Sequence, residues 1–279
     1  MKKYTILIVC LLLVATHQLF AGQSKTNFNK GWEYLEYPAG GTIEANAKDT
    51  WEEVELPHSW NSHDATDMIP GYRRTVGWYR KIWNAGKEAD HRYFMEFEGS
   101  NLVTSLYVNG ELIGTHTGGY IGFKFEITDA LKNGQNQLMV RVDNSINREI
   151  IPSQKSDFFI YGGITRDVWM EKVPETYIED INISTPSVSS RNAETIIEVD
   201  LDGRARKGNK LLIAVLNPDG KEVYSVKKET KELSSVFKFN LRKPQLWDVR
   251  SPQLYTIRVQ LLSESKVLHS KSDKYGYRW

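Results

Sequence analysis

Residues 102–110 read Leu-Val-Thr-Ser-Leu-Tyr-Val-Asn-Gly (LVTSLYVNG). Leu102 to Val108 is a short run rich in β-branched, aromatic and apolar residues, with the period-two alternation of a half-buried strand. Asn109-Gly110 supplies two residues that tolerate positive φ, the signal for a tight hairpin turn. The same grammar recurs along the chain. Tyr93 to Phe97 (YFMEF), Gln137 to Val142 and Val168 to Val173 read as strands. Gly118-Gly119, Asn133-Gly134, Asp202-Gly203 and Asp219-Gly220 read as turns. Long helical stripes are absent, and the one helical piece, Thr128 to Lys132, is a single turn with a capping Thr or Asp and an Asn-Gly stop. The fold class is therefore all-β, built as a sandwich or jelly roll.

A boundary falls near Pro174. After it come about a hundred residues of strands separated by turns such as Asn217-Pro-Asp-Gly220, the length of one immunoglobulin-like sandwich. Before it, residues 22–174 form a larger sandwich. The expected organisation is thus a segment 1–21, a first domain 22–174 and a second domain 175–279. The stretch Lys227 to Glu232 alternates in sign enough to be a solvated strand face.

The first segment has the anatomy of a secretory signal peptide: Lys2 and Lys3, the apolar run Ile6 to Ala15, and the small residue Ala21. The run is shorter than the roughly 20 apolar residues a membrane span needs, and no later segment is a candidate. Lipid attachment at Cys10 would require a small residue before it, and Val9 is not small. Cleavage after Ala21 leaves no cysteine, which excludes disulfides, thiolate nucleophiles and Cys-ligated zinc. The expected location is periplasmic or extracellular. With 36 Lys+Arg against 35 Asp+Glu the net charge is +1, so the chain has no bias toward nucleic acid or an anionic membrane.

Residue pairs able to do chemistry are scarce. Glu96 and Glu98 share a strand face, where they read as a polar outward face opposite Phe94, Met95 and Phe97. Glu52 and Glu53 are adjacent and point to opposite faces of a strand. His58, His63, His91, His116 and His269 lack helical metal spacing, and no Gly-x-Ser-x-Gly or phosphate loop occurs, so no metal or cofactor is expected. The denser signals are Gly71-Tyr-Arg-Arg-Thr-Val-Gly-Trp-Tyr-Arg80 and Asp157-Phe-Phe-Ile-Tyr-Gly-Gly-Ile-Thr-Arg-Asp167. Aromatic faces, planar guanidinium donors and a carboxylate suit sugar hydroxyls and ring C–H faces. Core aromatics with Arg-Asp pairs pinning loops fit the same residue types.

At these two segments the chain resembles the N-terminal part of the family 2 glycoside hydrolases, the β-galactosidase, β-glucuronidase and β-mannosidase group. Trp51 to Trp60 (WEEVELPHSW) is similar to the family's Trp-x-x-Val-x-Leu-Pro-His stretch, and Gly77-Trp78-Tyr79-Arg80 to its Gly-x-Tyr-Arg strand. Val108-Asn-Gly110 through Gly114, His116, Gly118-Gly-Tyr120, Ile127-Thr128, Asn136 and Val140 to Asn144 follow its sugar-binding-domain pattern. Asp157 to Val168 follow its Asp-Phe-x-x-Tyr-x-Gly-Ile-x-Arg segment. Leu246-Trp247, Pro252, Leu254-Tyr255 and the closing Tyr275-Gly-Tyr-Arg278 resemble the immunoglobulin-like domain that follows.

The resemblance implies a galactose-binding-like jelly-roll β-sandwich followed by an immunoglobulin-like β-sandwich. In the family the closing motif leads into a (β/α)8 barrel carrying both catalytic glutamates of a retaining mechanism. This sequence stops at Trp279, so the expectation is a non-catalytic portion, inactive alone, whose partners are a β-linked glycoside or oligosaccharide and the catalytic barrel. The resemblance puts Asp157 at the hydroxyls of the terminal sugar and Arg74 at a second loop position that reaches it, where β-galactosidases can carry Asn. A face made to meet a barrel should expose an apolar patch around Trp78, Tyr161 and Trp279 and lead to homo-oligomers. Two other readings stay open: a stand-alone carbohydrate-binding module, and a self-sufficient hydrolase using carboxylates such as Asp157 and Glu126.

Overall fold

The computed structural model describes residues 23–37, 50–68, 71–151, 159–204 and 208–278. They form strands and turns, with no helix among them. Ten strands precede residue 175: β1 (Ser24–Asn27), β2 (Trp32–Tyr37), β3 (Glu52–Val54), β4 (Val76–Ala85), β5 (His91–Phe97), β6 (Val103–Val108), β7 (Glu111–Thr117), β8 (Phe123–Glu126), β9 (Gly134–Asp143) and β10 (Val168–Pro174). They pair antiparallel in two sheets, ordered β1-β10-β5-β8 and β3-β2-β4-β9-β6-β7. The crossings between non-sequential neighbours are those of a jelly roll.

The hairpin read from Asn109-Gly110 joins β6 to β7, with Val108 facing Glu111 across the turn. Its φ values of 53° and 88° are both positive, as a type I′ turn requires. The Asn109 amide also donates to the Ala130 carbonyl (2.8 Å) and to Asn136 Oδ1 (2.9 Å), tying the turn to the single helical turn after β8. On β9 every second residue faces inward, so Asn136, Leu138, Val140 and Val142 are fully buried. With Trp32, Tyr79, Met95, Phe97 and Leu106 they build the first core. Each large side chain there contributes about 1.5–3 kcal/mol through burial.

Seven strands follow: β11 (Tyr177–Val188), β12 (Asn192–Asp202), β13 (Asn209–Leu216), β14 (Glu222–Glu229), β15 (Ser234–Arg242), β16 (Tyr255–Ser263) and β17 (Lys266–Tyr275). They form the sheets β11-β12-β15 and β14-β13-β16-β17, the seven-strand arrangement of an immunoglobulin-like sandwich. Their core is separate, built from the alternate residues Ile197 and Val199, Ile213 and Val215, and Ile257 and Val259. The Tyr277 hydroxyl reaches Thr195 Oγ1 (3.1 Å) inside it, while the Tyr277 carbonyl accepts the Trp247 amide (2.7 Å). Two motifs 30 residues apart in sequence thereby close one end of the sandwich.

Two expectations need correction. The Glu96 side of β5 is not a free polar face, because Phe94 on that side is buried against Val173 of neighbouring β10 and Tyr177 of the second sandwich, with the Tyr177 ring 5.7 Å away. Glu96 pairs with Lys25, and Glu98 accepts the Trp169 indole N–H (2.9 Å), so both acids are structural. Trp78 is not surface either: it is buried beside Tyr107, ring centroids 5.7 Å apart. Tyr161 is 40% exposed, and Trp279 lies outside the described residues.

Candidate functional site

Four loops meet at one end of the first sandwich: residues 59–64, 72–75, 144–145 and 159–163. Two fully buried amides join them. Asn61 Nδ2 donates to the carbonyls of Arg73 (3.1 Å) and Ile160 (3.3 Å), and its Oδ1 accepts the Gly162 N–H (2.9 Å). Asn144 Nδ2 donates to the same Ile160 carbonyl (3.1 Å), and its Oδ1 accepts the Thr75 N–H (2.8 Å). Side-chain amides suit this task because each offers both donors and an acceptor to strands that have run out of ladder partners. The Gly71–Arg80 and Asp157–Asp167 segments are thus brought side by side, through residues that sequence reasoning assigned no role. A lone Asn beyond Trp60 carries no local signal for bonding a residue 101 positions away.

The Gly162-Gly163 turn fits only because neither residue has a side chain. A Cβ at position 162 would lie 2.1 Å from Trp60 Cζ2 and 2.5 Å from Asn144 Nδ2. At position 163, where φ is +123°, it would lie 2.4 Å from the His58 carbonyl. Beneath the turn, His58 Nδ1 lies 2.9 Å from the Tyr79 hydroxyl. Burial lowers the His58 pKa and raises that of Tyr79, so a neutral imidazole meets a phenol that stays protonated.

Each sequence-proposed residue has a definite place or lies beyond description. Arg74 is half-buried, and its Nε donates to the Asn144 carbonyl (2.8 Å) while Nη2 reaches the Ser145 carbonyl (3.4 Å). Asp157 lies outside the described residues. The next described residue is Phe159, whose ring packs on Tyr72 (4.8 Å) and lies 6.2 Å from that of Tyr161 at an interplanar angle of 27°. Arg73 is bound by Asp64, Glu36 and the Trp60 carbonyl, and Arg80 is forked onto Glu33 (2.7 and 3.0 Å) over the Trp51 ring. Both are pinned structurally. Glu126 is held by Arg92 (2.6 and 2.8 Å) and Thr128, and the Arg92 hydrogen bonds keep its pKa below the usual carboxylate range. A carboxylate so held is a poor proton donor, which removes it as a general acid.

A cleft of about 350 Å³ adjoins the rim, lined by Val103, Asp143 and the 145–149 loop. Asp143 is already engaged by Arg141 (2.9 Å) and the Ser145 N–H (2.8 Å). Ile146, in its lining, is 61% exposed, and Ile151, further along the chain after Asn144, is 92% exposed. The rim therefore combines fixed polar groups, neighbouring aromatic rings and exposed aliphatic side chains.

Two β-sandwiches in this order, a jelly roll and then an immunoglobulin-like fold, define the class of the chain, and sequence comparison names the family. Residues 43–174 match the domain described as glycosyl hydrolases family 2, sugar binding domain, and residues 176–278 match glycosyl hydrolases family 2. The chain belongs to glycosyl hydrolase family 2. It is 40% identical over 98% of its length to a protein of Formosa agariphila assigned as a beta-glucuronidase, and 31% identical over 92% to a beta-galactosidase of Thermoanaerobacter pseudethanolicus. The crystal structure of Parabacteroides merdae beta-glucuronidase superposes with a TM-score of 0.83 at 28% identity, over 92% of this chain and 35% of that one. The chain spans about a third of the curated relatives it matches, 34% and 36% of their lengths.

Proposed function

We propose that this chain is the non-catalytic N-terminal portion of an exported family 2 β-glycosidase. Residues 22–174 are the sugar-binding-like domain, 175–279 the immunoglobulin-like domain, and 1–21 the export signal. The substrate is a β-linked glycoside, of the galactoside or glucuronide kind that the relatives' names indicate. Chemistry belongs to a barrel with two glutamates, and this chain completes the edge of its site.

The observation that carries the reading is the joining of the 72–75 and 159–163 segments by Asn61 and Asn144. In this reading Arg74 acts from a rigid rim, tied to the Asn144 and Ser145 carbonyls, and Asp157 is the acid that precedes the clamped Phe159–Gly163 turn in sequence. A rim fixed before the sugar arrives loses little entropy on binding, which is how positioning groups contribute to rate. Ile146, Ile151 and Tyr161 then face the barrel.

The test is reconstitution. The purified chain should release no nitrophenol from β-galactoside, β-glucuronide or β-mannoside substrates. Joined to a family 2 catalytic barrel it should gain turnover on one of them. Hydrolysis by the chain alone, lost in Asp157→Asn, would favour the self-sufficient hydrolase instead.

A further inference from the structure

The second sandwich is open along one side. β14 and β15 each end their sheets, and both present an unpaired edge there. Between them lies a cleft of about 510 Å³, within the roughly 300–1,000 Å³ range of small-ligand sites. Tyr224 on β14 and Phe239 on β15 bridge it with rings 3.9 Å apart and within 8° of parallel. Both are half-buried, so the pair forms an aromatic floor.

The walls of this cleft are rich in hydrogen-bond donors. Lys221, Arg242 and Lys243 line it, and none of the three side chains has an ion-pair or hydrogen-bond partner among the described residues. Glu222 is the one acid in the lining. The adjacent Asp219 is already engaged by the Asn217 and Gln245 amides (3.1 and 3.3 Å). Lys243 has φ of +47°, a left-handed conformation that residues other than glycine rarely adopt. Its N–H bond to the Arg191 carbonyl (2.8 Å) holds it there, at the corner where β15 ends. A strained lysine beside two unpaired cations and an aromatic floor matches a ligand with flat apolar ring faces and negatively charged, acceptor-rich edges.

We infer that this cleft binds an acidic oligosaccharide, with Lys221, Arg242 and Lys243 holding its carboxylate or sulfate groups and the Tyr224-Phe239 pair supporting a sugar ring. The site lies in the second sandwich and needs no barrel, so its test is independent of the proposed glycosidase role. The purified chain is run through native gels containing polygalacturonate, dextran sulfate or neutral dextran at about 0.15 M salt, where diffuse charge effects are screened beyond roughly 8 Å. Retardation is expected with polygalacturonate, with dextran sulfate, or with both, and the responding gel identifies carboxylate or sulfate as the group recognised. Arg242→Ala and Lys243→Gly should each weaken the apparent affinity at least tenfold. Lys243→Gly relieves the positive φ, so its melting temperature should not fall, and lost binding cannot be lost folding. Lys227→Gln, on β14 outside the cleft, should bind as the parent does. Retardation by neither acidic polymer, equal retardation by neutral dextran, or an equal loss in Lys227→Gln would overturn the assignment.

Discussion

Arg92 Nη1 lies 2.9 Å from Asp202 Oδ2, an ion pair that runs from β5 of the first sandwich to the end of β12 in the second. The same guanidinium forks onto Glu126 and stands 5.3 Å from the rings of Phe94 and Tyr177, so one side chain binds carboxylates and aromatics of both sandwiches. The Tyr177 hydroxyl lies 3.2 Å from Asp202, and the Ser270 N–H donates to Gln23 (3.2 Å) across the same joint. Any rim on the first sandwich is held in fixed orientation to the second by this contact.

Removing Arg92 should therefore loosen the joint more than removing one of its partners. Arg92→Ala leaves Glu126 and Asp202 without their cation and should cost about 2–3 kcal/mol. Asp202→Asn keeps the shape and should cost about 1 kcal/mol or less, since Asp202 is partly solvated. Calorimetry checks both, and in Arg92→Ala the melting should broaden or split as the sandwiches uncouple.

Asn61→Ala and Asn144→Ala should each lower stability by about 2–3 kcal/mol, because buried backbone groups of the Arg73–Thr75 and Ile160–Gly162 segments lose their partners. Urea unfolding measures the loss, and faster proteolysis within residues 152–163 would locate it. A neutral outcome would mean that the two segments are held together by other contacts.

Gly162→Ala should be more damaging than its single methyl suggests. The new Cβ would sit on the Trp60 ring and the Asn144 amide, and overpacking of this kind costs about 3 kcal/mol. Soluble yield and melting temperature check it, with Gly86→Ala as the control because a Cβ there meets nothing within 4 Å.

His269 gives the joint a pH dependence. Its Nδ1 accepts the Ile178 N–H (3.2 Å), its ring meets Tyr177 edge-on, and burial with Lys271 and Lys124 nearby pushes its pKa down to about 4. The unfolded chain binds the proton more readily, with a pKa of about 6.5, so the folded state loses stability as pH falls. The contribution is complete above about pH 6.5 and is lost between there and pH 4, amounting to roughly 3 kcal/mol. Melting temperatures from pH 7 to 4 should show this slope, and His269→Gln should flatten it.

How far the sequence led depends on the range of the interaction. The Asn109-Gly110 hairpin and the one-turn piece after β8 were legible because their causes are local: positive φ, alternation and a stop signal. The face of β5 was misread, since what covers Phe94 arrives from Tyr177, more than 80 residues later. The aromatic-glycine turn and the arginine segment stood out in composition. That they share one rim depends on Asn61 and Asn144, whose bonds to Ile160 no periodicity encodes. Charged residues misled most easily: Arg73, Arg80 and Glu126 have the chemistry of a site, yet each is fully engaged by its own fold.

The central claim is that the first sandwich supplies the edge of a glycosidase site, and Asp157 tests it most directly. Asp157→Asn should be made in the chain joined to a family 2 barrel, with kcat/KM and melting temperature measured on the same preparation. A carboxylate whose hydrogen bonds to the sugar strengthen in the transition state should lose about 2–4 kcal/mol of stabilisation, a rate loss of roughly 30- to 1,000-fold, while the melting temperature holds. A lowered melting temperature with unchanged kcat/KM would contradict the account and make Asp157 part of the scaffold.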